Sequence, residues 1–396
     1  MDLGERIVLD DERCILCSRC IRFSSEVVKD DVLGFVNRGS HSTLTAYPGK
    51  RFDNAYSLNT VDLCPVGALT SKDFRFQMRV WFLKETKSLC TSCGTGCNIT
   101  LGSREGKVHR LTPRENESVN SQWMCDFGRL NFHYLDSKDR LHRPLLRAAG
   151  EQFPGTWGDA IQRAAEGLKK VKPEELAVVA SARLTNEELF VLARLLRELG
   201  VTRVDMVPHQ GQSDQFLRSG DANPNSRGVE LLGLSSGGRK FGTWGAEIAS
   251  GKIRGLLVFG GEDVVAAGIP VSVLQSLEVL LFSGILENET SRLAHVVLPA
   301  AGTAEKTGSM VNVHGRLQRM TRAISAPGEA REDWTIIRDL REACTGGNSL
   351  HSVEDVWKAM GSEVTQFAGL NWAKIGDLGV QIENDLGVSR EKSLKS

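Results

Sequence analysis

The chain has 396 residues, 41% of them hydrophobic and 25% charged, which is ordinary for a globular protein of two or three domains. Its 49 basic residues are balanced by 49 acidic ones, so the formal net charge of zero argues against binding to nucleic acid or, through a polybasic surface, to membranes. No apolar run reaches the roughly 18 residues of a membrane span, and residues 1–12 lack the apolar stretch of a secretory signal.

The first feature in chain order is a cysteine quartet in residues 1–80. Cys14, Cys17 and Cys20 have C-x-x-C-x-x-C spacing, and Cys64, followed by Pro65, completes the set after 43 intervening residues. Three closely spaced thiolates can wrap one face of an iron–sulfur cubane while a remote thiolate closes its fourth corner. The pattern therefore predicts a [4Fe–4S] site.

A second quartet lies in residues 81–140. Cys90, Cys93 and Cys97 are followed by Cys125 after 27 residues, which again supplies four thiolates for one cubane. Short alternating runs at 80–83 and 106–109, with glycines at 94 and 96, predict a small β-rich unit around this second [4Fe–4S] site.

Structural zinc is the alternative for both quartets, since zinc also takes four thiolates. It would make the chain an interaction module without a redox role. Zinc sites favour two separated C-x-x-C pairs, which the close C-x-x-C-x-x-C run with a remote Cys-Pro fits poorly. Basic residues flank the cysteines and could either raise a cluster's reduction potential or be solvated surface charges: Arg13, Arg19, Arg22, Lys84 and Lys87.

From about residue 141 the pattern changes to alternating helix and strand. Thr185 and Glu188 have capping-box spacing before a helical stripe of leucines that ends at Gly200. Four apolar runs predict buried strands, at 176–180, 256–259, 279–282 and 294–298. Strand–helix alternation predicts an α/β domain with a mainly parallel sheet over 141–335, followed by a C-terminal extension over 336–396.

Nucleotide-binding motifs are missing from the sequence. We find neither a G-x-x-x-x-G-K-[ST] loop nor a G-x-G-x-x-G run after a strand, and the Gly-Gly-Arg-Lys stretch at 237–240 is interpreted as a loop. If the chain takes part in nicotinamide or flavin chemistry, we therefore expect those cofactors on a partner subunit.

The motifs resemble a known family. Asp11-Glu12-Arg13-Cys14-Ile15-Leu16-Cys17, Cys64-Pro65-Val66-Gly67-Ala68-Leu69 and the second quartet are similar to the large iron–sulfur subunit of NADH:quinone oxidoreductase (respiratory complex I). The later part resembles the molybdopterin oxidoreductase fold through Asn225-Ser226-Arg227-Gly228, Ala294-His295-Val296-Val297-Leu298-Pro299 and the run from Glu305 to Gln318. His295 and His314 stand where acidic residues are usual, and we interpret both as structural.

This resemblance implies an electron-transfer subunit with two [4Fe–4S] clusters, of which the first lies on the path from flavin to quinone and the second off it. It implies no molybdopterin, with NADH and FMN on a flavoprotein partner subunit. Further partners would be a [4Fe–4S] relay subunit and the quinone-site subunits, with no nucleic acid. The implied location is peripheral, on the cytoplasmic side of the inner (plasma) membrane and held through partners.

The sequence also departs from the family. No cysteine precedes Cys14, so the [2Fe–2S] domain and the His/Cys₃ site usual in the family are not found. We expect an N-terminally truncated chain, either a fragment or one half of a split gene whose other chain carries the [2Fe–2S] part. A non-functional gene product is a further possibility.

A formate dehydrogenase-type molybdopterin subunit is the functional alternative. Such relatives tend to have lysine two residues after the last cysteine of the second quartet, where this chain has Phe127. Cys344, the ninth cysteine, follows the last family motif and is interpreted as a buried free thiol and not as a molybdenum ligand.

Overall fold

The computed structural model describes residues 1–347 and 350–382. These residues form two compact units, each described here by itself. The first unit comprises residues 1–90, 97–132 and 213–218, and the second comprises 91–96, 133–212 and the described residues from 219 onward. The end of the predicted C-terminal extension, after residue 382, lies outside the described residues.

The amino-terminal part of the first unit is built from short elements around a small apolar core. Two antiparallel strand pairs form, Ile7–Leu9 with Leu69–Ser71 and Leu33–Val36 with Thr43–Ala46. The helical segments are Asp11–Arg13, Arg19–Arg22, the π-helical turn Phe23–Val27, Gly39–His41 and Asn59–Leu63. Because Leu9 pairs with Leu69, the chain entering the first cysteine run lies beside the chain leaving Cys64.

The remainder of the first unit is a three-stranded antiparallel sheet followed by a short helix. Its strands are Lys84–Leu89, Asn98–Arg104 and Lys107–Pro113, and the helix is Asp126–Leu130. The predicted β-rich unit is present, but the expectation of a strand-like run at 80–83 is wrong. Val80–Phe82 forms a 3₁₀ turn, and Trp81 is 72% exposed, because the run pairs with no neighbouring strand and its apolar side chains stay at the surface.

The second unit is a mixed α/β layer, as the sequence predicts. Its main sheet runs in the order Arg203–Asp205, Leu176–Ala180, Gly255–Phe259, Val279–Gly284, Val296–Pro299, Leu145–Ala148 and Glu151–Pro154. The first five strands are parallel to one another. Leu145–Ala148 pairs antiparallel with the fifth strand, and Glu151–Pro154 pairs antiparallel with Leu145–Ala148. The four predicted strands are confirmed within two residues at each end. Their unbroken apolar character follows from burial on both faces of the sheet.

Helices and a second small sheet complete this unit. The helices are Trp157–Lys170, Asn186–Leu199, Ser226–Leu231, Phe241–Ala249, Val271–Leu274, Glu289–Leu293, Asp333–Thr345, Val353–Glu363 and Trp372–Ile375. The small antiparallel sheet contains Gly308–Val311, Arg316–Met320 and Val380–Gln381. Thr185 and Glu188 form the predicted capping box, and Gly200 ends the helix at a φ of +71°.

A buried charge cluster lies beside the amino terminus of helix Asn186–Leu199. The Lys306 ammonium lies 2.7 and 3.0 Å from the two carboxylate oxygens of Glu188 and 3.7 Å from Asp333. All three side chains are at least 96% buried, so each depends on the others for compensation of its charge.

None of the helices within the described residues combines the length and the apolar character that crossing a bilayer would need.

Candidate iron–sulfur centres

The structure brings the four thiols of the first quartet together. Cys14, Cys17, Cys20 and Cys64 all line one surface pocket of the first unit, and most of the other lining side chains are apolar, among them Ile15, Leu16, Phe35, Leu44, Pro65 and Val66. Convergence of residues that lie 43 positions apart in sequence is what a four-thiolate site requires. Apolar walls limit the access of water, which is one of the factors that set a cluster's potential.

The backbone of the cysteine run has an unusual conformation. Leu16 and Ser18 have φ values of +54° and +61°, a left-handed region that non-glycine residues rarely occupy. Each such residue costs on the order of 1 kcal/mol or more. These two reversals curl the segment before helix Arg19–Arg22 so that Cys14 and Cys17 face the same pocket as Cys20.

The fourth thiol is placed by a helix end. Cys64 is the C-cap of helix Asn59–Leu63, and its backbone N–H donates to Thr60 O at 3.1 Å. Pro65 follows, and Gly67 turns the chain at a φ of +64° with no atom near the position of a Cβ. The Asp10 N–H then donates to Ala68 O at 2.8 Å, which closes the cysteine run against the Cys64 turn.

Burial has an electrostatic consequence for the free thiols. Burial of Cys20, with smaller contributions from Cys14 and Cys17 next to it, raises its pKa to about 11. The free Cys20 is therefore a thiol at neutral pH, so binding iron through its thiolate must release a proton.

The flanking arginines of the first quartet are partly paired. Arg13 lies 3.0 Å from Asp10 and Arg22 lies 3.2 Å from Glu26, and both guanidinium groups are mostly exposed. Pairs of this kind contribute little to stability, so these two arginines behave as surface charges.

Three thiols of the second quartet belong to the first unit. Strands Lys84–Leu89 and Asn98–Arg104 pair Leu89 with Asn98, which places Cys90 and Cys97 at the loop end of the hairpin, with the Cys90 N–H donating to Cys97 O at 2.8 Å. Cys125 is the N-cap of helix Asp126–Leu130. Its Sγ accepts a hydrogen bond from Gly128 N at 3.3 Å.

Gly128 is a site residue that sequence reasoning did not single out. A Cβ built on it would lie 2.8 Å from Cys90 Sγ and 3.4 Å from Cys125 Sγ. The two sulfur atoms therefore face the same glycine, and only a residue without a side chain leaves room for them. The Cys-x-x-Gly spacing from Cys125 to Gly128 is the sequence signal that could have identified it.

Cys93 belongs to the short segment 91–96 of the second unit. Its Sγ lies 3.4 Å from the Thr95 hydroxyl, which accepts a hydrogen bond from Ser219 N. The Gly94 N–H donates to Asp221 O at 2.8 Å, so the predicted turn is held within that unit.

A site for a single metal ion needs its ligand atoms closer together than a site for an iron–sulfur cubane does. Within residues 1–347 and 350–382, no three Cys, His, Asp or Glu side chains are grouped closely enough to hold one metal ion. A cubane has its four irons at separate corners, so its thiolate ligands do not need to meet at one point.

In the second unit a buried carboxylate lies near the carboxyl end of a parallel strand, which is the usual ligand position in this architecture. Glu262, 3% exposed, follows strand Gly255–Phe259 and accepts hydrogen bonds from the Ser181 hydroxyl and, at 2.7 Å, from His209. Since a pterin cofactor carries phosphate, a buried carboxylate here does not fit it.

Asp205 places a second carboxylate at the same sheet edge. It accepts hydrogen bonds from the hydroxyls of Ser235 and Ser236 and from the backbone N–H groups of residues 206, 236, 238, 240 and 241. Burial opposes ionisation, but the hydrogen bonds from Ser236 and Ser235 prevail and lower the pKa of Asp205 to about 2. The loop at 237–240 thus binds the chain's own carboxylate.

The remaining predicted residues have structural surroundings. His295 is half-buried and its Nδ1 accepts from Leu280 N at 2.9 Å, while burial lowers its pKa. Asn225 Oδ1 accepts from Val311 N and its amide donates to Leu184 O, both at 2.8 Å. Cys344 is only half-buried, and its burial raises the pKa of the thiol.

Comparison with known families follows this division of the chain. The family described as NADH-quinone oxidoreductase subunit 3, ferredoxin-like domain, matches residues 4–70, which contain the first quartet. The molybdopterin oxidoreductase Fe4S4 domain matches residues 83–137, which contain the second, and the molybdopterin oxidoreductase family matches residues 223–343. Each cysteine quartet thus lies in a part of the chain that is similar to an iron–sulfur domain family.

Curated NADH-quinone oxidoreductase and NADH dehydrogenase subunits are similar to about half of the chain. An NADH-quinone oxidoreductase subunit of Rickettsia conorii is 39% identical over 198 residues, 50% of this chain and 29% of that protein. The NADH-quinone oxidoreductase subunit 3 of Thermus thermophilus is 38% identical over 203 residues, 51% and 26% of the two chains. The mitochondrial NADH dehydrogenase iron–sulfur protein 1 of Solanum tuberosum is 37% identical over 220 residues, which are 55% of this chain and 30% of that protein. The matched part thus spans less than a third of each relative.

A solved structure shares the fold. Acetylene hydratase from Pelobacter acetylenicus superimposes with a TM-score of 0.53 over 73% of each chain, at 11% sequence identity. This likeness concerns the fold alone and confirms the α/β architecture predicted for the later part of the chain.

Proposed function

We propose that the chain binds two [4Fe–4S] clusters and serves as an electron-transfer subunit of an NADH:quinone oxidoreductase. The observation that carries the proposal is the convergence of Cys14, Cys17, Cys20 and Cys64 on one pocket. Cys90, Cys93, Cys97 and Cys125 are proposed as the ligands of the second cluster. The names of the relatives support this function over that of a formate dehydrogenase-type subunit.

The clusters would supply one-electron redox chemistry, and the side chains would supply binding, position and exclusion of water. In the first site, apolar residues such as Phe35 and Leu44 shield the thiols, while Cys17 lies at the surface. In the second, Cys90, Cys97 and Cys125 are each at least 93% buried. The more exposed first site is therefore the better placed of the two to exchange electrons with a partner.

The wider assignment rests on the family. We propose that NADH and FMN bind a flavoprotein partner subunit, and that a [4Fe–4S] relay subunit and the quinone-site subunits are further partners. The chain would then be peripheral on the cytoplasmic side of the inner membrane and held there through these partners. We propose no molybdopterin, because Glu262 and Asp205 place two carboxylates at the sheet edge where an anionic pterin would bind.

The test is anaerobic analysis of iron and acid-labile sulfide, combined with low-temperature EPR after dithionite reduction. The intact chain is expected to hold about eight irons and Cys14→Ser or Cys90→Ser about four each, with a different EPR signal lost in each variant. Cys344→Ser is the matched control and should keep both signals, because Cys344 belongs to neither quartet.

Three results would contradict the proposal. Stoichiometric zinc in a colourless protein without an EPR signal would establish the zinc-stabilised module. Bound molybdenum or pterin would favour the formate dehydrogenase-type alternative. An iron content that falls equally in Cys14→Ser and Cys344→Ser would show that the assigned thiols are not ligands.

A further inference from the structure

A buried asparagine joins the two cysteine quartets within the first unit. The Asn59 amide Nδ2 donates to Met124 O at 2.8 Å and to Tyr56 O at 2.9 Å, and its Oδ1 accepts from Met124 N at 3.2 Å. Asn59 is 1% exposed. Two reciprocal hydrogen bonds therefore fix the Met124 backbone to this one side chain, in surroundings where water cannot replace a lost partner.

Asp126, which follows Cys125, also connects the two quartets through hydrogen bonds to residues 55–58. Its carboxylate accepts from the Ser57 hydroxyl at 2.6 Å and from Leu58 N at 3.0 Å, and its own N–H donates to Ala55 O at 2.7 Å. Arg129 extends the connection by donating to Asp62 at 2.6 Å. We call these hydrogen bonds of Asn59, Asp126 and Arg129 the 59/126 bracket.

The bracket ends next to a proposed ligand on both sides. Asn59 is the first residue of the helix that Cys64 caps, so a shift of Cys64 moves Asn59 through a rigid element of five residues. Met124 directly precedes Cys125, which in turn caps the helix that begins at Asp126. A change in the position of one thiol is thus transmitted through hydrogen bonds and helices to the other.

We propose that the two clusters load cooperatively and that Asn59 is the positioning residue that couples Cys64 to Cys125. The inference rests on the proposed function, because it requires both clusters. Binding of one cluster fixes the backbone around its ligands, and the bracket also restricts the backbone around the other site. Binding of the other cluster then costs less conformational entropy. Such a coupling must be equal in both directions.

The experiment titrates the reconstituted full chain with an iron chelator under anaerobic conditions and follows the EPR signal of each cluster. Cys14→Ser should lower the chelator concentration that removes half of the second cluster by roughly tenfold, within the usual range of couplings between sites. Cys90→Ser should do the same to the first cluster. In an Asn59→Ala background both effects should disappear.

Asn225→Ala is the matched control. Asn225 is also fully buried and also bonds two backbone groups, Leu184 O and Val311 N, but it belongs to the second unit and makes none of the bracket's hydrogen bonds. It should leave the coupling intact. If Asn59→Ala does not fold, Ser57→Ala removes one hydrogen bond to Asp126 and should reduce the coupling in part.

The inference fails if Cys14→Ser leaves the second cluster's chelator titration unchanged, or if Asn59→Ala leaves the tenfold effect intact. In both cases two independently loaded clusters would still support the proposed function. If the unmodified chain binds no iron, the proposed function itself fails and the inference with it.

Discussion

Gly128→Ala is the sharpest test of the second site, because two effects of the same methyl group oppose each other. Gly128 lies within helix Asp126–Leu130, where alanine ordinarily stabilises by roughly 1 kcal/mol relative to glycine. The added Cβ would, however, lie 2.8 Å from Cys90 Sγ, closer than the roughly 3.5 Å of a favourable non-bonded contact. One of the two groups must therefore move.

The required movement predicts the outcome. Relief of the overlap displaces Cys90 by several tenths of an ångström or more, and overpacking of this kind costs about 1–3 kcal/mol. We expect Gly128→Ala to lose the second cluster, leaving about four irons per chain, while the first cluster's EPR signal stays as in the unmodified protein. Iron analysis and EPR after dithionite reduction measure both.

A glycine with free space around it provides the control. Gly242 lies in helix Phe241–Ala249, and no atom would lie within 4 Å of a Cβ built on it. Gly242→Ala should raise the free energy of unfolding by up to about 1 kcal/mol and keep both clusters. If Gly128→Ala also kept about eight irons and an unchanged second signal, the sulfur atoms would not face Gly128 as described.

Three further predictions concern the second unit and can be followed by urea unfolding. Asp205→Asn should lower the free energy of unfolding by about 3–5 kcal/mol at pH 7, because at least three donors lose an acceptor. The pKa of Asp205 in the folded protein is about 2, below its ordinary value, so its stabilising effect is present above about pH 4 and is lost as the pH falls through 2. The difference in unfolding free energy between the unmodified protein and Asp205→Asn should therefore shrink by about 1 kcal/mol between pH 7 and 3. A difference that stays constant with pH would contradict the charge argument. Lys306→Met should lower the free energy of unfolding by about 3–5 kcal/mol, because it leaves Glu188 and Asp333 without their cation. Burial raises the pKa of Asp333 to about 7, so protonation of Asp333 at lower pH should restore part of this loss; an equal loss at pH 5 and 8 would refute this. Thr185→Ala should lower the free energy of unfolding by about 1 kcal/mol, because the helix loses its N-cap hydrogen bond. An unchanged free energy of unfolding would mean that packing alone fixes this helix end.

Local signals explain which parts of the fold the sequence could predict. The capping box at Thr185 and Glu188, the stop at Gly200 and the buried strands depend on residues close together in sequence, and the structure confirms them. The run at 80–83 shows the limit, because its apolar composition suits a strand while nothing pairs with it.

Contacts between residues far apart in sequence explain which features of the fold and of the site could not be predicted. The hydrogen bonds of Asn59 join residues 65 positions apart, and those of Asp205 reach up to 36 positions along the chain. No local pattern marks either residue as special. Cysteine spacing predicted which thiols could serve each site, but not that Gly128 leaves room for two of them.

The unequal burial of the two quartets has a practical consequence for handling the protein. Cys17 is exposed, whereas Cys90, Cys97 and Cys125 are buried. Dioxygen and peroxide therefore reach the first site more readily, and oxidative damage to cysteine follows access to solvent. A sample purified in air should bleach in two phases and lose the first cluster before the second. The brown colour that survives such a preparation would report on the second site alone.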